Sequence, residues 1–433
     1  MRVNLARNMG QRTLRVFAPF ACAYFLSYFY RVANAVLSPD LVRDLGLDAG
    51  ALGLLTSAYF LSFALLQLPV GLLLDRFGPR RVNASLLCVA ACGAALFAVG
   101  DGLPALVVGR ALIGVGVSAC LMSSIKAFTL WFPLPRLAAL NGWLMAAGGV
   151  GAMAASAPLE AALRVTDWRG VFAALAVATV AAALAVATVV PERAPTRARE
   201  SLRELAGGFR HIYGDAGFWP LALVSLTVPA TSLAVQGLWV APWLRDVAGL
   251  GRDAVAGTLF AMAVGTTLGY AAQGSASEAL ARRGVSLLHM LQASACVCVL
   301  LLVAFAFGVT FAAPAAWVLF AVLAPSASLA YAIQTRRYDP ALAGRVNTAV
   351  NLLVFLGAFA AQWGVGAIVD LWPAEAGSHP AAAYGAAFGA LAAAEILALA
   401  LLFLSGAEVP RATQVRVGRD GEHEQQHAEG ERG

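Results

Sequence analysis

An arginine inside a long apolar stretch is the first residue of this sequence that could do chemistry. Arg31 lies in the second half of the apolar segment 17–37, and Tyr24, Tyr28 and Asn34 share a face with it if that segment is helical. A charge in hydrocarbon costs about 2.5 to 3.5 kcal/mol, so we expect this face to line a cavity. Because a guanidinium matches carboxylate and phosphate geometry, the face predicts an anion site. Alternatively, Arg31 is satisfied by backbone and tyrosine hydroxyls, or snorkels outward.

Two further basic residues fall inside the apolar segment 104–129. Lys126 is the only lysine of the chain, and a compact ammonium of adjustable pKa suggests a role in solute binding. Snorkelling to the membrane surface is the alternative, because Trp131 and Phe132 mark that boundary. Arg110 lies roughly 24 Å away along a helix, so one small solute cannot contact both cations. We expect Arg110 to pair with a polar group or to help gate the pathway.

Amide and aromatic side chains in other apolar segments complete the candidate solute site. They orient a solute without charge, and the alternative for each is core packing or an interhelical hydrogen bond. The candidates are Trp143, Gln236, Trp239, Tyr331, Gln334, Asn347 and Asn351. Acidic residues are missing from segments 17–37, 104–129, 218–242 and 311–334. Proton carriage is therefore left to Glu160 or Glu395, or is replaced by exchange of solutes.

The elements that position these residues must be membrane-spanning helices. The 433 residues are 60% hydrophobic and 12% charged, against roughly 25% charged in soluble domains, so lipid is the expected solvent. The six cysteines lie in apolar runs and are interpreted as small buried hydrophobes. The sequence has no paired catalytic carboxylates, no nucleophile with a base and no His-rich metal spacing. It therefore predicts neither an enzyme nor a cofactor or metal site.

Apolar segments punctuated by charge predict twelve spans. They are 17–37, 51–73, 82–100, 104–129, 138–160, 170–190, 218–242, 254–274, 285–307, 311–334, 346–369 and 381–405. With both termini in the cytoplasm, the inside segments hold 22 arginines and the outside loops five, which predicts this orientation in a bacterial-type inner membrane. The net charge of +6 therefore reflects topology rather than nucleic-acid binding. The basic N-terminus resembles a signal peptide, but its apolar segment is too long and lacks a cleavage site.

An internal repeat organises the chain into two halves. Arg43 corresponds to Arg245, Asp75 to Glu278 and Asn141 to Asn347, all at an offset close to half the chain. Six helices have thus been duplicated, and two similar halves around a central site suit alternating access. The predicted domains are a six-helix bundle at 1–190, a cytoplasmic linker at 191–217, a second bundle at 218–406 and a disordered tail at 407–433. In the linker, Leu202, Leu205, Phe209 and Ile212 recur at the spacing of an amphipathic helix.

The segment GLLLDRFGPRR between spans two and three resembles the signature of the major facilitator superfamily. Its matching residues are Gly71, Asp75, Arg76, Gly78, Arg80 and Arg81. The resemblance implies an all-α fold of twelve transmembrane helices in two pseudo-symmetric six-helix bundles. It also implies that the aspartate caps a neighbouring helix, pairs with an arginine and latches the bundles in the outward-open state. VGRALIGVGVSA, with Arg110, resembles the span-four pattern, and the second-half copy of the signature carries Glu278 instead of aspartate.

Within the superfamily, the segments YFYRVANAVLSPDL and WFPLPR look most like those of organic-anion and organophosphate permeases. Arg31 resembles the span-one arginine with which those permeases hold an anionic group. The resemblance implies a secondary transporter for a small organic solute, with a carboxylate or phosphate ester favoured. An amino-acid or peptide permease and a multidrug-type efflux transporter remain alternatives. The expected partners are the lipid bilayer and the solute, with a coupling proton or counter-anion left open, and the expected state is a monomer.

Overall fold

The computed structural model describes residues 2–192, 202–339, 342–374 and 378–405. Within these ranges the chain is almost entirely helical and has no β-strand. The helices are α1 (Arg2–Leu45), α2 (Ala49–Val99), α3 (Leu103–Val117), α4 (Cys120–Trp131), α5 (Leu134–Ala154), α6 (Ala157–Ala162), α7 (Trp168–Val189), α8 (Leu202–Gly214), α9 (Trp219–Ala234), α10 (Val240–Asp246), α11 (Arg252–Arg282), α12 (Leu287–Ala306), α13 (Ala313–Leu323), α14 (Leu329–Thr335), α15 (Ala343–Val369) and α16 (Ala381–Leu404). The predicted tail at 407–433 lies outside the described residues.

Twelve membrane crossings are built from these helices. Eleven helical stretches among the described residues are long and apolar enough to span a bilayer. The stretch Ala49–Val99 is too long for one crossing, and its backbone leaves the helical region at Gly78, where φ is +80° and ψ is 162°. It therefore supplies the predicted spans two and three, and the prediction of a twelve-helix fold is confirmed.

Several spans are interrupted near their middle. α3 and α4 together form one span, as do α5 with α6 and α13 with α14. The span Ala216–Asp246 contains a π-helical turn at Val235–Trp239, preceded by Pro229. Such turns interrupt the regular hydrogen-bond ladder and often occur at functional sites. They lie where the two halves face each other.

The two halves meet most extensively along three pairs of elements. α2 packs against α15, α1 packs against the π-helical turn, and α5 packs against α11. At the first contact the rings of Phe63 and Phe355 lie 4.2 Å apart. At the third, Gly149 faces Thr267 so closely that a Cβ atom would clash with it. The site between the halves is therefore framed by tightly packed helices.

The linker helix α8 packs on the second half of the chain. Ile212 is fully buried against Phe218 and Val346. Tyr213 donates its hydroxyl hydrogen to the backbone oxygen of Ala349 at 3.1 Å, and burial raises the pKa of Tyr213 to about 12. The predicted apolar face is thus bound to protein at its C-terminal end. Residues 193–201 lie outside the described residues, so the bounds of the linker stay a prediction.

The bundle has two distinct ends. One, which we call the basic end, carries Arg76, Arg80, Arg81, Arg136, Arg336 and Arg337. The other, which we call the far end, contains the end of α1, the start of α2 and the start of α11. The sequence predicts that the basic end faces the cytoplasm.

Candidate functional site

A cavity of about 820 Å³ lies between the two halves. Its walls come from α1, α2, α4 and α5 on one side and from α9, α11, α14 and α15 on the other. The cavity extends toward the basic end, where Trp143 lines it and is 69% exposed. Its size suits a small organic molecule, since ligand cavities measure roughly 300 to 1,000 Å³.

Arg31 is the only charged side chain among the described residues that line this cavity. Its guanidinium carbon lies 4.5 Å from the ring centre of Tyr28, 5.6 Å from that of Phe63 and 5.5 Å from that of Phe355. Among the described residues no carboxylate forms an ion pair with it, and its buried Nε atom has no hydrogen-bond partner. The ring faces stabilise a cation, but they leave the Nε donor of Arg31 without a partner. The arrangement is suited to an anionic ligand.

Seven of the predicted solute residues line the cavity. They are Tyr24, Tyr28, Arg31, Trp143, Gln236, Tyr331 and Asn351. One hydrogen-bonded chain among them joins the halves: Tyr331 donates to Oδ1 of Asn351 at 3.1 Å, and Asn351 donates to Oε1 of Gln67 at 2.8 Å. Gln67 was missed by the sequence analysis, although a glutamine in the middle of an apolar span is itself a signal.

The π-helical turn positions a second polar chain. Gln236 donates to Oγ of Ser232 at 2.6 Å and accepts from Oγ1 of Thr266 at 3.1 Å. All three residues line the cavity. The wider turn brings Gln236 onto the wall while Trp239 points into the core.

Four predicted solute residues lie outside the described cavity lining. Asn34 is fully buried and donates to Oγ1 of Thr56 at 3.0 Å. Trp239 donates to the backbone oxygen of Gln362 at 2.9 Å, and Gln334 to that of Phe218 at 2.7 Å. In each case a polar side chain binds a neighbouring helix, which for Trp239 and Gln334 was the alternative weighed from the sequence.

The fourth is Lys126, which pairs with Asp75 of the signature turn. Its side chain is 23% exposed and lies at the basic end rather than in the cavity. Asn347 also stays outside the lining and accepts a hydrogen bond from Thr335 at 2.9 Å. Asp75 thus pairs with the lone lysine in this conformation and not with the arginine that the resemblance implied.

The signature turn is held by contacts within the first half. Gly78 adopts a backbone conformation that is essentially restricted to glycine. Arg80 donates from Nε to the backbone oxygen of Ala187 at 2.8 Å, and Arg81 forms an ion pair with Glu192. Arg76 stacks on Phe77 with its guanidinium carbon 5.2 Å from the ring centre.

The remaining predicted latch residues are dispersed. Gly71 has open space where a Cβ would be. Arg110 is fully buried, donates to the backbone oxygen of Tyr30 at 2.9 Å and lies 5.3 Å from the ring centre of Tyr59, away from the turn. Glu278 falls within α11, but its side chain lies outside the described residues. Their role in gating stays a prediction.

The far end is closed by ion pairs that the sequence analysis did not find. Arg252 binds Asp40 through Nη2 at 2.5 Å and Glu160 through Nε at 2.5 Å; we call these three residues the far-end clasp. Asp370 accepts hydrogen bonds from the backbone nitrogens of Ala49 at 2.8 Å and Gly50 at 2.5 Å, linking α15 to the start of α2. Both contacts join one half to the other, so the far end must loosen before the cavity opens there.

The two candidate proton carriers lie in different surroundings. Glu160 belongs to the far-end clasp. Glu395 of α16 is fully buried, lies outside the described cavity lining and has no hydrogen-bond partner at either carboxylate oxygen. Neither carboxylate faces Arg31.

A cavity between two six-helix halves, closed at one end, is the arrangement of an alternating-access carrier. The sequence profile of the Major Facilitator Superfamily matches residues 20–362. The chain belongs to this superfamily. This is a superfamily of multi-pass membrane transporters rather than of enzymes, and the resemblance inferred from the signature turn is confirmed.

Curated relatives of this superfamily member match it over part of their length. The uncharacterized transporter YybO of Bacillus subtilis is 37% identical over 34% of this chain and 34% of its own. A probable sulfoacetate transporter of Cupriavidus necator is 26% identical over 45% of each chain. A probable L-galactonate transporter of Escherichia coli is 28% identical over 36% of this chain and 34% of its own. The chain thus spans less than half the length of these relatives.

Solved superfamily structures share the fold over nearly the whole chain. A bacterial homologue of the human lysosomal transporter Spinster, inward-facing and unoccupied, has a TM-score of 0.73 and 17% identity, covering 91% of this chain and 97% of that one. A D-xylose–proton symporter has a TM-score of 0.70 and 13% identity, covering 90% and 97%. At such identities the likeness establishes the fold alone.

Proposed function

We propose that this transporter moves a small organic anion, a carboxylate or phosphate ester, across a bacterial inner membrane by alternating access. The observation that carries the proposal is Arg31, the single charge on the described cavity wall, with no carboxylate partner. Leaving such a cation uncompensated in a low dielectric is costly, and an anionic ligand removes that cost. Arg31 would bind the anion directly, with Tyr24 and Tyr28 beside it on α1.

The two ends of the bundle supply the alternating access. The far end is closed by the clasp and by Asp370, while the cavity extends to Trp143 at the basic end. With both termini cytoplasmic, as the arginine distribution predicts, this conformation faces inward. Transport then requires the far-end contacts to break as the halves rock, and the basic end to close through its latch.

The names of the relatives favour this substrate class. They include probable or putative transporters of sulfoacetate, L-galactonate and tartrate, all of which are organic anions. An amino acid or peptide fits less well, because its ammonium group would meet no carboxylate on the described wall. Efflux of lipophilic compounds is the other alternative, supported by a quinolone resistance transporter of Acinetobacter baumannii at 23% identity over 39% of this chain and 40% of its own.

Uptake into proteoliposomes tests the proposal. A panel of radiolabelled organic anions, amino acids and sugars would be presented with and without a pH gradient. We expect anions to be transported, and Arg31→Gln to lower their uptake by about 10- to 150-fold, since a charged hydrogen bond contributes about 1.5 to 3 kcal/mol. Arg164→Gln, a cation at the far-end surface, is the control and should transport normally. Efflux of neutral lipophiles by an Arg31→Ala protein, with no anion transported, would contradict the proposal.

A further inference from the structure

We infer that the substrate carries one anionic group on an apolar or aromatic body, rather than two anionic groups or a body rich in hydroxyls. The inference rests on the proposed function and refines it. It is drawn from the number of charges in the cavity, from the hydrogen bonds already made by its neutral polar residues, and from the rings around Arg31.

The described wall offers one positive charge and no second one. Arg110 donates to the backbone oxygen of Tyr30, and Lys126 is paired with Asp75, so both cations of α3 and α4 are engaged elsewhere. A second anionic group would therefore face neutral protein in a low dielectric. Desolvating an anionic group that has no cationic partner is strongly unfavourable. The cavity therefore compensates the charge of a single carboxylate or sulfonate.

Most neutral polar side chains of the described wall already bind protein. Gln67, Asn351 and Tyr331 form one chain, and Ser232, Gln236 and Thr266 form another. Ser328 is paired with Gln273, and Thr267 donates to the backbone oxygen of Ala263. A polyhydroxylated solute would have to exchange these bonds for its own and would gain little net free energy. An apolar body requires no such exchange.

Aromatic and thioether side chains provide the surface that such a body would contact. Tyr28, Phe63 and Phe355 surround the guanidinium of Arg31, so the part of the substrate next to its anionic group lies against rings. Met122, Met145 and Met262 line the same cavity. Methionine side chains adapt their shape to apolar ligands, and aromatic side chains pack against the rings of aromatic ligands.

Competition for binding tests the inference on the purified full-length protein in nanodiscs. The ligands are 3-phenylpropionate, D-gluconate, tartrate and the uncharged 3-phenylpropanol. We expect 3-phenylpropionate to bind at least about tenfold more tightly than each of the others, a difference of 1.4 kcal/mol. Tighter binding of gluconate or tartrate would overturn the inference and leave the proposed function standing. Equal binding of 3-phenylpropanol, or no binding of any anion, would overturn both.

A pair of phenylalanines on α15 provides a matched variant and control. Phe355 lines the cavity, whereas Phe359 lies one turn later, outside the described lining and with its ring 6.0 Å from that of Trp363. We expect Phe355→Leu to weaken 3-phenylpropionate about fivefold to tenfold relative to gluconate, and Phe359→Leu to leave the ratio unchanged. A Phe355→Leu protein that keeps its melting temperature and the parent's ratio of affinities would overturn the inference.

Discussion

Neutralising Arg252 should open the far end of the protein. Its guanidinium holds Asp40 of α1 and Glu160 of α6 at 2.5 Å each, so it joins the second half to two helices of the first. In Arg252→Gln the cation between Glu160 and Asp40 is lost, and Asp40 keeps the exposed Arg43 of its own helix at 3.2 Å. The attraction across the interface between the halves is then lost.

The size of the effect follows from exposure. An exposed ion pair contributes about 0.2 to 1 kcal/mol, whereas removing one partner of a buried pair costs about 2 to 5 kcal/mol. Arg252 is 41% exposed, but Asp40 and Glu160 are only 10% and 9% exposed. We therefore expect an intermediate loss of about 1.5 to 3 kcal/mol, which shifts the equilibrium toward an open far end by about 10- to 150-fold.

Distances between spin labels measure this shift. Val165 and Phe311 lie in far-end loops of opposite halves and are 89% and 91% exposed, so cysteines there can be labelled once the six native cysteines are alanine. Double electron–electron resonance should show a longer distance in Arg252→Gln. In the control Arg164→Gln, the lost pair with Asp253 is 64% and 76% exposed, and the distance should stay near that of the parent. An unchanged distribution in Arg252→Gln, or equal opening in the control, would refute the reasoning.

Three further predictions concern the basic end and the linker. Gly78→Ala should lower the free energy of unfolding by about 1 to 3 kcal/mol, measured by thermal unfolding, because an alanine is strained at φ +80° and ψ 162°. Lys126→Gln should leave anion affinity unchanged but change the transport rate, since Lys126 pairs with Asp75 and does not line the cavity. A weaker anion affinity would instead show that Lys126 contacts the solute. A hydrogen bond from Tyr338 lowers the pKa of Asp215, so the contact stabilises above the usual carboxyl pKa of about 4 and is lost as pH falls below it. Tyr338→Phe should therefore lose less thermal stability than the parent between pH 5 and pH 3.

Hydropathy was sufficient to predict the membrane-spanning helices, because a helix that crosses lipid must satisfy its backbone internally and be apolar along its length. It was harder to predict whether each polar residue faces the cavity or a neighbouring helix. A polar side chain avoids lipid, but it does so equally well by lining a cavity, as Gln236 does, or by binding another helix, as Asn34 does with Thr56. Spacing along one helix cannot separate these outcomes. The position of the neighbouring helix decides, and that is a property of the packed bundle.

The far-end clasp escaped prediction for a related reason. Arg252 and Asp40 are far apart in the sequence, and each looks like a solvated residue at the end of a span. Only the packing of the two halves brings Nη1 and Nη2 of Arg252 to 3.2 Å and 2.5 Å from the carboxylate oxygens of Asp40. The position of Arg31 on a cavity wall could be predicted, because the free-energy cost of its charge in hydrocarbon depends only on its own helix.

The solitary charge of Arg31 also bears on the coupling of transport. Closing the basic end around an empty cavity would dehydrate a guanidinium that no described carboxylate compensates, whereas a bound anion removes most of that cost. The empty carrier should therefore change conformation more slowly than the loaded one. We expect labelled anion to exchange for unlabelled anion across proteoliposomes at least about tenfold faster than it leaves without a counter-anion, which corresponds to 1.4 kcal/mol. Equal rates of exchange and net efflux would show that Arg31 finds a partner in the empty carrier, such as a proton-linked carboxylate brought in as the halves move.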